Sequence, residues 1–230
     1  MGCAFCASPP AGFCRGLSAG EMLGQVMLAG KSCGGRVNNV VLMGIGEPLD
    51  NFENVVTFLQ NLSDPRGYQM SLRHVSVSTC GLADKILALA AMKLQLTLSV
   101  SLHAPNDEIR NRLMPVNNKW PVDVLLKACD DYFSQTGRRI CYEYFLIGGV
   151  NDGVEQAQEL AYKLRNRQSL VNLIPYNAVG GTGFLPSTPL AMQSFQRVLL
   201  KNGVNATVRR TLGSDLNASC GQLRRKEQHQ

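Results

Sequence analysis

Residues 37–51 read VNNVVLMGIGEPLDN. The apolar run from Val37 to Met43 has the pattern of a strand. It ends in a turn where Gly44 and Gly46 allow a ligand close to the backbone, and where Glu47 offers a carboxylate suited to an ammonium group. Helical spacing then begins at 52 and continues to 63. The same succession recurs along the chain, with further strands expected at 71–78, 94–102, 138–147, 170–175 and 205–210. Helices are expected at 18–30, 82–92, 121–136, 153–166 and 188–202. Ser18 with Glu21 forms a capping-box pattern, and Pro121 suits a first helical turn. Strands alternating with helices imply right-handed βαβ units and a parallel sheet, either open and doubly wound or curved into a barrel. No linker or low-complexity stretch divides the chain.

The 230 residues are 45% hydrophobic and 17% charged, the composition of a folded globular protein. No apolar run approaches the roughly 18 residues of a membrane span, and no basic-then-apolar leader opens the chain, so a cytoplasmic, membrane-free protein is expected. Eight cysteines are too few for a small disulfide scaffold, which leaves ligands, nucleophiles or inert core thiols. A net charge of +6 favours a polyanionic partner, with Arg209, Arg210, Arg224, Arg225 and Lys226 gathered near the C-terminus. Basic tails are also often simply solvated.

In parallel sheets ligands sit beyond the carboxyl ends of the strands. After the second strand comes Ser78-Thr79-Cys80-Gly81; after the third, Ser101-Leu102-His103-Ala104; after the fifth, Pro175-Tyr176-Asn177. Each has a bland reading, in which the serines cap the next element, His103 is a satisfied core histidine and Asn177 is a turn residue. Together with Gly46 and Glu47, they aim complementary groups at one site able to hold a zwitterionic, ribose-containing molecule. Cys220, in DLNASCGQL beside a glycine, is either a mobile exposed thiol or an incidental one. Cys3 and Cys6, in MGCAFCAS, fit half a zinc site, a redox dithiol or part of an iron–sulfur site. Structural zinc lacks a second cysteine or histidine pair here, and no strand precedes Cys3 as in thioredoxin-like dithiols.

In this order and spacing, CAFCAS, MGIGEPLDN, STCGL, SLHAPND, LIPYN and VRRTLGSDLNASCGQL resemble the radical S-adenosylmethionine (SAM) enzymes that methylate C2 of an adenine in 23S ribosomal RNA. Bacterial members also modify an adenine in the anticodon loop of certain tRNAs. The resemblance runs from residue 1 to about 223. It implies an α/β fold, a partial parallel (β/α)6 radical-SAM barrel lacking its first strand, and it implies a 4Fe–4S cluster and SAM as cofactors. Gly46 and Glu47 would hold the amino end of SAM, with Ser78, Ser101, Leu102, His103 and Asn177 completing the pocket. Cys3 and Cys6 would ligate the cluster, and Cys220 would be the cysteine that is methylated and carries the methyl group. Adenine C2 is too weak a nucleophile to attack a sulfonium methyl, so a radical route through the methylated cysteine is implied. The adenine must unstack to reach the pocket, which favours RNA loops. The implied partners are 23S rRNA, tRNA and a reductant such as flavodoxin or ferredoxin, acting on a monomer.

The family's cluster motif is Cys-x-x-x-Cys-x-x-Cys, and Cys3 and Cys6 match its second and third positions. The first would fall two residues before Met1. Cys14 as a third ligand would require a spacing that the family does not use. The expectation is therefore that residues 1–230 are the radical SAM core with a C-terminal extension from about 203, shortened at the N-terminus and without the family's N-terminal accessory domain, its resolving cysteine and its acidic general base. Alternatives are the sister enzyme that methylates C8 of the same rRNA adenine, a non-catalytic RNA-binding remnant, and a thiol redox or zinc protein.

Overall fold

The computed structural model describes residues 1–6, 12–177 and 182–209. Among them the order is α1 (Ala19–Ser32), β1 (Val40–Leu42), α2 (Phe52–Ser63), β2 (Val75–Thr79), α3 (Ala83–Ala91), β3 (Thr97–Ser101) and α4 (Asp107–Leu113). Then follow α5 (Val122–Thr136), β4 (Ile140–Gly148), α6 (Val154–Leu164), β5 (Ser169–Pro175), β6 (Leu185–Pro186), α7 (Pro189–Lys201) and β7 (Ala206–Val208). The sheet runs β1-β2-β3-β4-β5-β7 with every neighbour parallel, while the short β6 lies antiparallel on the end of β4. β1 and β7 are its edges, so the sheet is an open, partial barrel.

The strands themselves decide between the doubly wound and the barrel alternatives. Val75 and Val77 of β2, Leu98 and Val100 of β3, Tyr142 and Tyr144 of β4, and Val171 and Leu173 of β5 are buried in one apolar cluster. Phe58, Ile86, Leu125, Leu160 and Phe195 from the helices fill the same cluster. Burying each such side chain is worth about 1.5–3 kcal/mol. The intervening positions are Ser76, Ser78, Thr97, Ser99, Ser101, Cys141, Glu143 and Asn172. A doubly wound sheet would be apolar on both faces. Here helices cover one face, and the other is a polar interior.

Ends form as their residues require. Ser18 and Glu21 make the expected capping box, with Glu21 N donating to Ser18 Oγ (3.3 Å) and Ser18 N to Glu21 Oε2 (2.9 Å). Thr188 caps α7 ahead of Pro189. Pro121 stands at the N-cap of α5 rather than inside its first turn, with ψ at 160°. Two elements are absent from the sequence expectations. α4 has seven residues and buries Arg110 and Leu113, so no apolar period marks it. β6 has only two residues.

Candidate active site

The carboxyl ends of β1, β2, β3 and β5 form one rim, which brings the expected pocket residues onto the same edge of the sheet. Gly46 lies at φ +96°, where a side chain would be strained, and turns the chain so that Glu47 caps the following 3₁₀ turn. Glu47 is buried, its Oε1 accepting from Leu49 N (3.0 Å) and its Oε2 from Cys80 N (2.5 Å). Desolvation outweighs these donors and raises its pKa above the usual carboxylate value. A cation arriving at the rim would offset that cost.

Ser78 and Ser101 lie half-buried on the polar face. Leu102 and His103 are buried, and their N–H groups both donate to Glu143 O, at 3.1 and 3.3 Å. His103 sits at φ +57° with its ring against Phe5 and Phe145, both centroids 4.9 Å away. Its Nδ1 accepts from Phe145 N (3.0 Å), and burial lowers its pKa to about 3, so the ring is neutral and engaged in structure. The triplet therefore lends the rim the Ser101 hydroxyl and a fixed backbone. Asn177 is exposed just beyond β5, and Cys220 lies outside the described residues.

The loop carrying Cys3 and Cys6 is built onto this rim. Ala4 N donates to Leu113 O (2.9 Å), Cys6 N turns back to Cys3 O (3.2 Å), and Phe5 is buried beside His103. Cys80 packs against the buried cluster that holds Cys3, and the neighbouring Cys80 thiol, with the buried Arg110 charge, lowers the Cys3 pKa. Cys80 thus joins the two halves of the site, its backbone N–H on Glu47 and its side chain packed against the buried cluster that holds Cys3.

Arg110 is the residue that the sequence reading missed. It is fully buried, and its guanidinium donates to Leu102 O (3.0 Å), Ser101 O (3.0 Å), Cys80 O (2.8 Å) and Asn117 Oδ1 (2.8 Å). It therefore ties the ends of β2 and β3 together from beneath. Burial lowers its pKa to about 10, which still leaves it charged at neutral pH. Gly81 makes room for it: a Cβ there would meet Leu125 at 2.9 Å and Arg110 Nη2 at 3.1 Å. Asp107 in turn holds Asn117 Nδ2 (2.9 Å) and Val122 N (2.7 Å).

Below the rim, Ser101, Glu143, Asn172 and Thr207 pair in register across four strands. Glu143 is buried and accepts from Asn172 Nδ2 (2.7 Å) and from the Cys141 thiol (3.4 Å). Burial raises its pKa. This row is a hydrogen-bonding floor under the pocket.

Cys3 and Cys6 are soft donors of the kind iron prefers, but they are two where a site-differentiated 4Fe–4S cluster takes three. No group of three His, Cys, Asp or Glu among the described residues could hold a metal ion. The donor type fits and the number among the described residues falls one short.

The Radical SAM superfamily profile matches residues 1–161. The chain is 47% identical over 226 residues to a "Probable dual-specificity RNA methyltransferase RlmN" of Desulforamulus reducens, covering 98% of this chain and 65% of that protein. The protein of the same name from Desulforudis audaxviator is 48% identical, with 98% of this chain and 71% of that one covered. The chain thus spans about two thirds of the length of these relatives. A crystal structure of a radical SAM methyltransferase from Sphaerobacter thermophilus superposes with a TM-score of 0.92 at 41% identity, over 96% of this chain and 66% of that one.

Proposed function

The chain belongs to the radical SAM superfamily and, within it, to the RlmN-type RNA methyltransferases, and from that premise we propose that it methylates C2 of an adenine in 23S rRNA, with tRNA as a second substrate. The superfamily implies SAM and a 4Fe–4S cluster as cofactors. The observation that carries the reading is the junction at Cys80. There Cys80 N donates to the buried Glu47, a carboxylate suited to the SAM ammonium, and the Cys80 side chain packs against the buried cluster that holds Cys3, a thiol suited to iron.

In this reading Glu47 binds the amino end of SAM through an ion pair, and the Gly46 turn lets the ligand lie against the backbone. Ser78, Ser101 and Asn177 offer hydrogen bonds to its polar groups. Leu102 and His103 shape the wall, and Arg110 holds both strand ends in register. Cys220 is the methyl carrier: its thiolate sulfur bonds the SAM methyl carbon as the sulfonium C–S bond breaks, leaving S-adenosylhomocysteine. Cys3 and Cys6 would be two ligands of the cluster, which would supply reducing electrons received from a reductant such as flavodoxin or ferredoxin. The polar floor accepts an adenine that has left its stack. No helix among the described residues is long and apolar enough to cross a membrane, and a monomer working in the cytoplasm is the proposed state.

The test is anaerobic iron and sulfide reconstitution, followed by incubation with methyl-labelled SAM and 23S rRNA or tRNA and mass spectrometry of the digested RNA. Label on 2-methyladenosine is the expected result. Label on 8-methyladenosine would reassign the chain to the sister activity. Colourless protein that binds RNA without transferring a methyl group would make it a non-catalytic RNA-binding remnant.

A further inference from the structure

Resting on the RNA reading above, we propose that the amino end of the sheet, opposite the SAM rim, is a second RNA contact surface that grips phosphates away from the modified base. The connections entering β1 to β5 each carry Lys or Arg: Arg36, then Arg66 and Arg73, then Lys93, then Arg138 and Arg139, then Arg165 and Arg167. The same connections hold a single carboxylate, Asp64, which Arg66 occupies at 3.2 Å. At the carboxyl end, the loops 43–51, 80–82 and 149–153 contain no Lys or Arg and carry Glu47, Asp50 and Asp152, while Arg110, Arg112 and Lys119 lie in the connection leaving β3 and Arg209 follows β7.

Cations near helix C-termini also complement the helix dipole, but that effect fades within the last turn. Arg36, Arg73 and Arg139 stand beyond the last residues of α1, α2 and α5, and all three are exposed. Among the described residues no carboxylate lies within ion-pair distance of them, or of Lys31 or Lys93.

One part of this surface is a built groove. α1 closes in a Schellman motif, with Gly35 N donating to Gly30 O (3.0 Å), Gly34 N to Lys31 O (3.2 Å), and Gly34 at φ +65°. Gly30 is needed there, since a Cβ would stand 2.8 Å from Gly35 O. The next residue, Arg36, lies over the Tyr68 ring at 4.7 Å, and Tyr68 Oη accepts from Val37 N (2.9 Å). The guanidinium is thus placed over the ring, and it is a group able to fork a phosphate. Lys31 lines the same open groove of about 390 Å³, which contains no acidic residue. A strand of five residues spans about 17 Å, so an RNA stem adjoining the extruded base is long enough to reach from rim to groove.

The test is fluorescence anisotropy of the full chain with an RNA hairpin bearing a loop adenine, between about 50 and 200 mM salt. Lys31→Glu with Arg36→Glu, and separately Lys93→Glu with Arg139→Glu, are each expected to weaken binding at least about tenfold at the low-salt end. Each pair is expected to make the slope of log Kd against log salt shallower by roughly 1.5 to 2. Circular dichroism melting and SAM binding should match wild type. Folded variants with wild-type affinity and slope would overturn the second surface alone. A wild-type chain that binds no RNA would overturn the RNA reading and this surface with it.

Discussion

At the carboxyl end of the sheet Glu47, His103 and Arg110 are buried, and His103 stands at a positive φ. At the amino end of the same strands Arg36, Lys93 and Arg139 are exposed, and Gln69, Lys93 and Asn166 take positive φ in exposed turns. One end accepts desolvated polar groups, which costs stability unless every partner is in place. The other keeps its charges in water, where each is nearly neutral for folding. The contrast separates a site that must be rigid and dry from a surface that only needs charge.

Substitutions at the two ends should therefore differ in kind. Arg110→Met leaves the carbonyls of Cys80, Ser101 and Leu102 without their donor, and is expected to cost about 3–5 kcal/mol. Arg36→Met should fall within about 0.5 kcal/mol of wild type. Calorimetric melting of both reads the difference, and equal effects would erase the distinction between the ends.

pH sharpens it further. His103 has a folded pKa near 3 against an ordinary value of 6.5, so the unfolded chain binds the extra proton between them. Its contribution is complete above about 6.5 and is lost as pH falls toward 3, on the order of a few kcal/mol. Glu47 and Glu143 have raised values and act in the opposite sense, since their burial is least costly when they are protonated. Urea titrations of wild type against His103→Gln isolate the histidine, and the variant should lose stability less steeply below neutral pH.

Gly81→Ala tests the packing above Arg110. With φ at +104° and Leu125 only 2.9 Å from the new carbon, a loss of about 2–3 kcal/mol is expected. Gly34→Ala at the amino end, at φ +65° with nothing within 4 Å, should cost about 1 kcal/mol. Ser18→Ala, which removes the α1 cap, should cost about 1 kcal/mol or less in thermal melts.

The sequence showed the six parallel strands and the helices between them because burial on one face only leaves a period of two, as in VSVS of β2 and TLSVS of β3. It also showed Gly46-Glu47 and the two thiols, because short motifs survive as strings. Arg110 was not legible. It shares a seven-residue helix with Arg112, both basic, and nothing local says which of them turns inward to meet carbonyls from two strands. The role of Cys80 was equally hidden, since it depends on residue 3 folding back across the sheet edge. The row of exposed cations at the amino end needed the strand boundaries before those residues could be placed on one edge of the sheet.

The central claim is that the rim holds SAM through Glu47, and equilibrium dialysis of labelled SAM tests it most directly. Wild type should bind saturably, more weakly as pH falls through the raised Glu47 pKa and the carboxylate is lost. Glu47→Gln, with its fold verified by circular dichroism, should bind at least about tenfold more weakly and lose that pH dependence. Equal binding by Glu47→Gln, with the same pH profile, would contradict the assignment of the rim.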